Sequence, residues 1–267
     1  MTPVQIVENA LNEDIGSGDI TTTLCVPAQL TARARIIARQ PLVVAGVSLL
    51  PLLFDNPDIR VHDGDCVNEG GEIALVHGPA RHLLTRERVA LNFLQRLCGI
   101  ATLTRKYVDA ISGTKCSILD TRKTTPGLRA LEKMATAAGG AVNHRMGLYD
   151  AVLIKNNHIT AAGGVRAALA RVKDTTLPVE IEVRTMNELY EALECGASHL
   201  LLDNLTPAEA ASWMRAIGGR ATVELSGGIT LETVRACADT GADFISVGAL
   251  THSAPAVDIN FRLDLEQ

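Results

Sequence analysis

Polar, charged or glycine residues follow each apolar, β-branched run in the second part of the chain. Such runs are typical of strands, and helical segments rich in Ala, Leu and Glu separate them. The carboxyl ends of parallel strands meet at one edge of a sheet or barrel, so we expect the residues that follow the runs to form one site. These residues are Asp120-Thr121-Arg122-Lys123, Lys155, Glu182, Asp203, Ser226-Gly227-Gly228 and Val247-Gly248-Ala249.

A local excess of positive charge lies between Thr121 and Lys155. This stretch has six basic and two acidic residues and a net charge of +4, whereas the whole chain has a net charge of −5. We expect Arg129 and Lys133 on the solvated face of a helix. The basic residues at strand ends or in loops are Arg122, Lys123, Arg145 and Lys155. Because arginines pair with carboxylates and lysines with phosphates, this cluster predicts a substrate with several negative charges.

Two carboxylates, Glu182 and Asp203, end successive apolar runs and are the candidate metal ligands. Beside basic residues they suit Mg²⁺ that is held partly through phosphate oxygens, with structural salt bridges as the alternative. Ser226-Gly227-Gly228 and Gly248 follow the last two runs, where phosphate sites recur in barrels. Glycines there let main-chain N–H groups approach an oxyanion, although ordinary turns also use them.

Two histidines, His144 and His252, have polar neighbours and are candidates for the same site, with a structural role left open for each. We expect His158 at the entry of a helix. The sequence has no HExxH or other paired-histidine spacing, so we expect no zinc site. It also lacks the sequence pattern of a serine nucleophile elbow.

Arg88 lies in a predicted helix from Thr85 to Leu97. Its spacing from Leu84 and Leu91 places it on the apolar side of that helix. Two interpretations remain open. Either the side chain extends to the domain surface, or it crosses an interface into the site of a neighbouring subunit.

The elements that position these residues differ between the two parts of the chain. A length of 267 residues corresponds to one large domain or two modest ones. Up to about Ser112 we predict a helix from Pro3 to Asp14, strands that include residues 33–39, and the helix that carries Arg88. From Thr114 onward, six apolar runs alternate with helices, which predicts right-handed βαβ units and a parallel sheet. The predicted helices of this part are residues 128–138, 165–172, 186–195, 207–217 and 231–240.

A closed or nearly closed α/β barrel fits this second part better than a doubly wound sheet. No GxGxxG follows the first run, and every run ends in polar or glycine residues. Six strands are fewer than the eight of a full barrel, so either two strands are missed or the barrel is incomplete.

The composition excludes several classes of protein. The negative net charge argues against nucleic-acid binding, and an aromatic content of 3% argues against base stacking. No apolar stretch is long enough to span a bilayer, and the first fifteen residues lack the basic residues of a signal peptide, so we expect a cytoplasmic protein without a membrane partner. Six dispersed cysteines without a CxxC pair predict reduced, buried thiols.

Several blocks of the sequence, in order along nearly the whole chain, carry a resemblance to one family. They are Glu13-Asp14-Ile15-Gly16-Ser17-Gly18-Asp19, Glu87-Arg88-Val89-Ala90-Leu91-Asn92-Phe93, Asp120-Thr121-Arg122-Lys123-Thr124-Thr125-Pro126-Gly127-Leu128-Arg129, Asn143-His144-Arg145-Met146-Gly147-Leu148-Tyr149-Asp150, Leu153-Ile154-Lys155-Asn156-Asn157-His158, Leu202-Asp203-Asn204, Ser226-Gly227-Gly228 and Ser246-Val247-Gly248-Ala249-Leu250-Thr251-His252. The sequence resembles the quinolinate phosphoribosyltransferases, or nicotinate-nucleotide pyrophosphorylases. Asn156 stands where this family commonly has an acidic residue.

The resemblance implies a fold and an activity. It implies an N-terminal α/β sandwich over residues 1–112, with a C-terminal tail, residues 258–267, that returns to it. An incomplete, six- to seven-stranded α/β barrel of the TIM-like type would occupy residues 113–257. The implied reaction transfers the phosphoribosyl group of phosphoribosyl pyrophosphate to quinolinate with decarboxylation, giving nicotinate mononucleotide, pyrophosphate and CO₂ for NAD biosynthesis. The implied assembly is a homodimer or a higher oligomer.

The resemblance also implies roles for individual residues. Arg122, His144, Arg145 and an Arg88 from the other subunit would hold the two carboxylates of quinolinate. The implied catalytic residues are Lys123, Lys155, Glu182 and Asp203, with the lysines on substrate and phosphates and the carboxylates on ribose hydroxyls and Mg²⁺. The remaining substrate-binding residues would be Thr121, Ser226-Gly227-Gly228, Val247-Gly248-Ala249 and His252, most of them around the 5′-phosphate.

Three other functions remain open at this point. A relative with the same scaffold could use another acceptor, such as nicotinate. Lys155 could form a Schiff base in an aldolase, because a lysine at an apolar strand end can act as a nucleophile. A barrel without activity could bind a phosphorylated ligand. The arginine cluster and the two carboxylates at successive strand ends favour the transferase.

Overall fold

The computed structural model describes residues 1–265 of the chain. The helices are α1 (Pro3–Ile15), α2 (Ile20–Cys25), α3 (Leu50–Leu53), α4 (Ala80–Ala110), α5 (Arg129–Ala138), α6 (Asn156–Ala162), α7 (Val165–Val172), α8 (Met186–Glu194), α9 (Pro207–Ile217), α10 (Val234–Ala238) and α11 (Ala249–His252). The strands are β1 (Thr31–Ala38), β2 (Leu42–Val43), β3 (Asp58–Ile59), β4 (Cys66–Val67), β5 (Glu72–Pro79), β6 (Ser117–Leu119), β7 (Val152–Ile154), β8 (Val179–Val183), β9 (His199–Asp203), β10 (Thr222–Ser226), β11 (Phe244–Ser246) and β12 (Ile259–Leu265).

The chain divides into two compact units. The first unit comprises Met1–Arg105, Lys123–Gly140 and Ala249–Gln267, and the second comprises Lys106–Arg122 and Ala141–Gly248. The first boundary therefore falls inside α4, and two segments that we predicted within the barrel belong to the first unit. The reason is packing, since Leu131 and Ala135 of α5 lie in the hydrophobic core of that unit. The last two residues of the predicted tail lie outside the described residues.

An antiparallel sheet with the strand order β12-β1-β5-β3 organises the first unit. In β1 the small and aliphatic residues Ala32, Ala34, Ile36 and Ala38 are all buried, while Arg33 is exposed. This alternation places one face of the sheet in the core. The C-terminal strand β12 pairs with β1 along its length, from Ala32 opposite Leu265 to Ala38 opposite Ile259.

Helices α1 and α4 supply much of the rest of this core. The predicted N-terminal helix is confirmed, with Thr2 capping its first turn and Pro3 at its first position. Helix α4 is longer than the predicted segment and runs for 31 residues. Its Leu94 and Leu97 are buried in the same core as Ile6 of α1.

A parallel sheet of six strands organises the second unit, in the order β6-β11-β10-β9-β8-β7. Five strands follow one another in sequence order, and the first strand, β6, then pairs with the last, β11. This arrangement confirms the six predicted strands and the incomplete barrel. Leu119 at the end of β6 also bridges to Val142, which extends the β6 edge of the sheet by one residue.

The helices between the strands agree with the predicted segments at most positions. Helix α7 has the predicted bounds, and so does α9. The predicted helix from Leu231 to Thr240 is shorter, since α10 covers Val234–Ala238 only. Among the residues that the structure describes, no helix is long and apolar enough to cross a membrane.

Candidate active site

One face of the six-stranded sheet carries several of the predicted site residues. In the register of the strands, Glu182 lies beside Leu201, and Leu201 lies beside Glu224. Asp203 lies beside Ser226. Residues two apart in a strand share a face, as do aligned residues of neighbouring strands. The residues that share this face, hereafter the polar face, include Glu180, Glu182, Leu201, Asp203, Glu224 and Ser226.

In the second unit, Lys155 forms an ion pair with Glu182 of the polar face. The Nζ of Lys155 lies 3.1 Å from Oε2 of Glu182, whose side chain is only 6% exposed. The main-chain N–H of Lys155 donates to Nδ1 of His158 at 2.9 Å, which confirms His158 as an entry residue of α6. Nζ of Lys155 is therefore a hydrogen-bond donor held beside a carboxylate, a geometry that suits contact with the oxygens of an anionic ligand.

Asp120, at the end of β6, holds the segment that contains the predicted histidine and arginine. Its carboxylate is fully buried. It accepts hydrogen bonds from Nδ2 of Asn143 at 2.7 Å and from the main-chain N–H of His144 at 2.8 Å. Asp120 therefore fixes the main chain of residues 143–144 against the end of a strand.

A second aspartate closes the turn that carries Arg145. The carboxylate of Asp150 accepts from the main-chain N–H groups of Met146 and Gly147, at 2.6 and 3.0 Å. These hydrogen bonds lower the pKa of Asp150. The guanidinium of Arg145 donates to the main-chain oxygen of Ala151 at 3.0 Å, so the side chain spans its own turn.

Two arginines of the second unit lie close enough to repel one another. Burial, and then the charge of Arg122, lower the pKa of Arg145, while the charges of Asp150 and Glu180 act in the opposite direction. Holding two guanidinium groups near each other costs electrostatic free energy. A ligand with carboxylates would offset that cost, because guanidinium forks bind carboxylates in a bidentate manner.

His144 lies between two glutamates of the polar face. Its Nε2 is 3.4 Å from Oε2 of Glu180 and 3.2 Å from Oε2 of Glu224. Burial alone lowers the pKa of His144, but hydrogen bonds to these glutamates and their charges outweigh burial and raise the pKa to about 9. The main-chain N–H of Arg145 donates to Nδ1 of the same ring at 2.8 Å, so in this geometry Nδ1 accepts and only Nε2 can donate to the glutamates. The ring gains a second proton, at Nδ1, only when the hydrogen bond from Arg145 is broken.

The raised pKa of His144 predicts that stability falls as the pH rises. The folded pKa is about 9, above the value of roughly 6.5 in an unfolded chain. The contribution of His144 to the free energy of unfolding is therefore complete below about pH 6.5 and is lost between about pH 6.5 and pH 9. We expect the Tm to fall by about 5 °C over this range.

The matched variant is Glu224→Gln, which removes one of the two carboxylates. Its Tm should fall less over the same pH range than that of the wild type, as measured by calorimetry. Glu194→Gln, on the exposed face of α8, is the control and should keep the wild-type slope. Equal slopes in all three proteins would contradict the assignment.

The turns after β9 and β10 pack against one another. Gly227 and Gly228 have φ values of 91° and 62°. A Cβ at Gly227 would collide with Asn204, whose main-chain N–H donates to the oxygen of Ser226 at 2.8 Å. Only glycine meets both requirements at position 227. On the β6 side, the N–H of Val247 donates to the oxygen of Leu119 at 3.0 Å.

The structure places the predicted site residues in both units. Those of the second unit are Thr121, Arg122, His144, Arg145, Lys155, Glu182, Asp203, Ser226, Gly227, Gly228, Val247 and Gly248. Those of the first unit are Arg88, Lys123, Ala249 and His252. Within the first unit, Thr251 donates from Oγ1 to the main-chain oxygen of Lys123 at 2.8 Å, which joins the segments that carry Lys123 and His252.

Two expectations about basic side chains are wrong. Arg88 is exposed and does not lie on the apolar side of α4, because the buried side of this turn is formed by Leu83 and Ala90 instead. Lys133 is almost completely buried rather than solvated, although its neighbour Arg129 is half-buried. Helix α5 packs on the core of the first unit, so less of its surface faces water than the sequence pattern suggests.

The sequence analysis missed Glu180 and Glu224 as site residues, whereas it placed Asp120 among the residues at the strand ends. The signal was present in the strands, since Glu180 precedes Glu182 by two residues and Glu224 precedes Ser226 by two. In a strand, residues two apart point to the same face, so these glutamates accompany the predicted residues. Carboxylates within apolar strand runs therefore deserved the same weight as those at strand ends.

Two sets of carboxylates could be considered as metal ligands. Among the described residues, the one group of three potential ligands in mutual contact is His144, Glu180 and Glu224. The contacts from Nε2 of His144 to the two glutamates account for that group without an ion. The predicted pair, Glu182 and Asp203, offers oxygen ligands on the same face of neighbouring strands, which suits Mg²⁺. Asp203 also accepts from Nδ2 of Asn204 at 2.7 Å.

Comparisons with known proteins agree over nearly the whole chain. Residues 19–98 match the family model of the quinolinate phosphoribosyl transferase N-terminal domain, and residues 100–262 match that of the C-terminal domain. A Bacillus subtilis protein named as a probable nicotinate-nucleotide pyrophosphorylase (carboxylating) is 42% identical over 262 residues, covering 95% of this chain and 90% of its own. The chloroplastic nicotinate-nucleotide pyrophosphorylase of Arabidopsis thaliana is 41% identical, covering 98% of this chain and 82% of its own.

A solved structure has the same fold. The crystal structure of the nicotinate-nucleotide pyrophosphorylase from Ehrlichia chaffeensis superposes with a TM-score of 0.94 at 36% identity, and the match covers 99% of each chain. Both domain models and relatives above 40% identity therefore agree with the resemblance found in the sequence blocks. This chain belongs to the quinolinate phosphoribosyltransferase family.

Proposed function

We propose that this protein transfers the phosphoribosyl group of phosphoribosyl pyrophosphate to the ring nitrogen of quinolinate. The products are nicotinate mononucleotide, pyrophosphate and CO₂, and the step serves NAD biosynthesis. Family membership supports this reaction, and one observation carries it: Arg122 and Arg145 lie close enough for the charge of one to lower the pKa of the other. Two guanidinium groups within electrostatic range of each other match a substrate with two carboxylates.

The proposed roles follow from the charges that develop during transfer. Cleavage of the bond between C1 of the ribose and the pyrophosphate builds positive charge on the sugar and negative charge on the leaving group. Lys123 and Lys155 stabilise the phosphates, while Glu182 and Asp203 hold the ribose hydroxyls and tolerate the positive sugar. The glycine turn at residues 226–228, residues 247–249 and His252 bind the 5′-phosphate.

Decarboxylation follows from the charge of the ring. After transfer, the ring nitrogen is cationic. The bond from C2 to its carboxylate then breaks, CO₂ leaves, and the electron pair stays on C2 beside the cationic nitrogen. A proton from solvent completes the C2–H bond. Arg122 and Arg145 orient the diacid, so that the ring nitrogen faces the sugar.

His144 lies beside the arginines of this site. Its Nε2 faces Glu180 and Glu224, which hold the ring in place. We propose that His144 binds a carboxylate of quinolinate together with Arg122 and Arg145. Thr121, immediately before Arg122, adds its hydroxyl to the residues that bind the substrate.

Magnesium is proposed as the cofactor. Glu182 and Asp203 would hold it together with substrate oxygens, since carboxylate oxygens on one face of neighbouring strands suit this hard cation. When bound, Mg²⁺ would neutralise the negative charge of the leaving pyrophosphate.

The proposed assembly is a homodimer in which Arg88 of one subunit acts on the substrate of the other. The exposure of Arg88 on α4 supports this role, because the side chain is available to a second chain. A cytoplasmic location stays a prediction.

An assay with defined substrates tests the function. We expect the purified protein with quinolinate, phosphoribosyl pyrophosphate and Mg²⁺ to release pyrophosphate and CO₂ in equal amounts, with nicotinate mononucleotide identified by mass spectrometry. Nicotinate should replace quinolinate poorly, because it lacks the second carboxylate that the arginine pair binds. Removal of Mg²⁺ with a chelator should slow the reaction strongly. Equal rates with both acids, or no release of CO₂, would contradict the proposal.

A further inference from the structure

A buried ion pair in the first unit connects three separate segments of the chain. Arg96, in the middle of α4, donates from Nε and Nη2 to Oε1 of Glu132 in α5, at 3.2 and 2.9 Å. The side chain of Glu132 is completely buried, whereas that of Arg96 is 28% exposed. A buried carboxylate is costly unless it is paired and fully hydrogen-bonded. The remaining partners of both residues show what this pair holds.

The first segment held by the pair follows Lys123. Thr125, two residues after Lys123, donates its main-chain N–H to Oε2 of Glu132 at 3.0 Å. Its hydroxyl donates to Oε1 at 2.8 Å. Both oxygens of the buried carboxylate therefore bind Thr125, and one of them also binds Arg96.

The second segment held by the pair surrounds His252. The guanidinium of Arg96 donates from Nη2 to the main-chain oxygen of Thr251 and from Nη1 to that of Ala254, at 3.0 Å for the latter. These two carbonyls flank His252 and Ser253. The hydroxyl of Thr251 then donates to the main-chain oxygen of Lys123 at 2.8 Å and ties the two segments together.

The partners of these hydrogen bonds distinguish a positioning role of the pair from a role in packing the two helices. Leu97 of α4 and Leu131 and Ala135 of α5 already lie in one hydrophobic core. The polar partners of the Arg96–Glu132 pair belong instead to the two segments that carry Lys123 and His252. A flexible lysine and a histidine can act on a phosphorylated ligand only where the main chain that bears them is fixed.

We propose that Arg96 and Glu132 are positioning residues for phosphoribosyl pyrophosphate, because they fix the main chain on either side of Lys123 and His252. This inference rests on the proposed function, in which Lys123 and His252 bind the phosphates of that substrate. The pair acts through these segments and does not itself touch the substrate. Its loss should weaken the binding of phosphoribosyl pyrophosphate far more than that of quinolinate.

Two conservative variants and one matched control test the proposal. Arg96→Lys keeps the charge but loses the fork that reaches Glu132, Thr251 and Ala254 together. Glu132→Gln keeps the size of the side chain but loses its charge. The control is Arg81→Lys, in the same helix, because Arg81 also donates to two main-chain oxygens, those of Val26 and Thr23, at 2.8 and 3.1 Å. Its partners lie outside both segments.

The kinetic test compares the change in KM for phosphoribosyl pyrophosphate with the change in KM for quinolinate. We expect both variants to raise the KM for phosphoribosyl pyrophosphate by about tenfold or more, while the KM for quinolinate changes by less than about twofold. Arg81→Lys should leave both constants near the wild-type values. Unchanged KM values in folded Arg96→Lys and Glu132→Gln, or an equal rise for both substrates, would overturn the proposal.

Hydrogen exchange of the free protein gives a readout that needs no activity. In Arg96→Lys, amides of residues 123–127 and 250–255 should exchange faster together, with no such change in Arg81→Lys. Slow exchange in both segments of Arg96→Lys would overturn the positioning role even if activity fell. An inactive wild-type protein would instead refute the proposed function, and exchange would still show whether the pair fixes the two segments.

Discussion

Replacement of Arg145 by alanine is expected to lower kcat/KM for quinolinate by about two to three orders of magnitude. A bidentate pair of charged hydrogen bonds contributes about 3–4 kcal/mol to binding of a carboxylate, and each 1.4 kcal/mol corresponds to about tenfold. In this variant Asp150 still binds the main-chain N–H groups of Met146 and Gly147, while the hydrogen bond from Arg145 to Ala151 is lost with the guanidinium. Steady-state kinetics with each substrate varied separately measure the effect.

Two further variants isolate the contribution of the bidentate guanidinium of Arg145 to kcat/KM. Arg145→Lys keeps the charge but not the bidentate geometry, and it should recover only a small part of the lost kcat/KM. Arg166→Ala removes an arginine that pairs with Glu191 and Glu194 on the exposed surface of α7 and α8, and it should leave the kinetics unchanged. A near-native kcat/KM in Arg145→Ala would show that another group binds the carboxylates.

The alternation of strands and helices in the second unit could be predicted from the sequence because it depends on local patterns. Apolar runs such as residues 199–202 form parallel strands that are buried on both faces. A continuous run of this kind differs from the spacing of apolar residues in an amphipathic helix. The carboxyl ends of these strands then had to share an edge. This is why Glu182, Asp203 and Ser226 could be grouped before their register was known.

The contacts within the site could not be predicted, because they join residues that are distant in the sequence. His144 meets Glu180 and Glu224 only after three segments have folded together. The alternation in residues 179–183 is equally typical of a strand whose charged face meets water. In the structure that face instead carries the pair of Glu180 with His144 and the pair of the buried Glu182 with the exposed Lys155.

For two basic residues in helices, the predicted exposure to solvent was wrong. Lys133 and Arg88 were assigned from helical spacing, which predicts the buried side only when the packing partner of the helix is known. Helix α5 packs into the core of the first unit, so the predicted solvated face at Lys133 is buried. On α4 the buried side is rotated toward Leu83 and Ala90, which leaves Arg88 exposed.

Mixing two inactive variants should restore activity if Arg88 acts across a dimer interface. Dimers of Arg88→Ala lack this arginine at both sites, and dimers of Arg145→Ala lack the other, so each protein alone should be nearly inactive. In a hybrid dimer, the site with an intact Arg145 receives an intact Arg88 from the other chain. The second site lacks both residues.

The expected recovery follows from the symmetry of a dimer. With equal amounts and full exchange, half of the dimers are hybrids and half of their sites are intact, so activity should reach about a quarter of the wild-type value. Mixing Arg88→Ala with the double variant Arg88→Ala/Arg145→Ala is the control and should restore nothing. If Arg88 serves the site of its own chain, no mixture gains activity, even when mass spectrometry of differently tagged chains shows that subunits have exchanged.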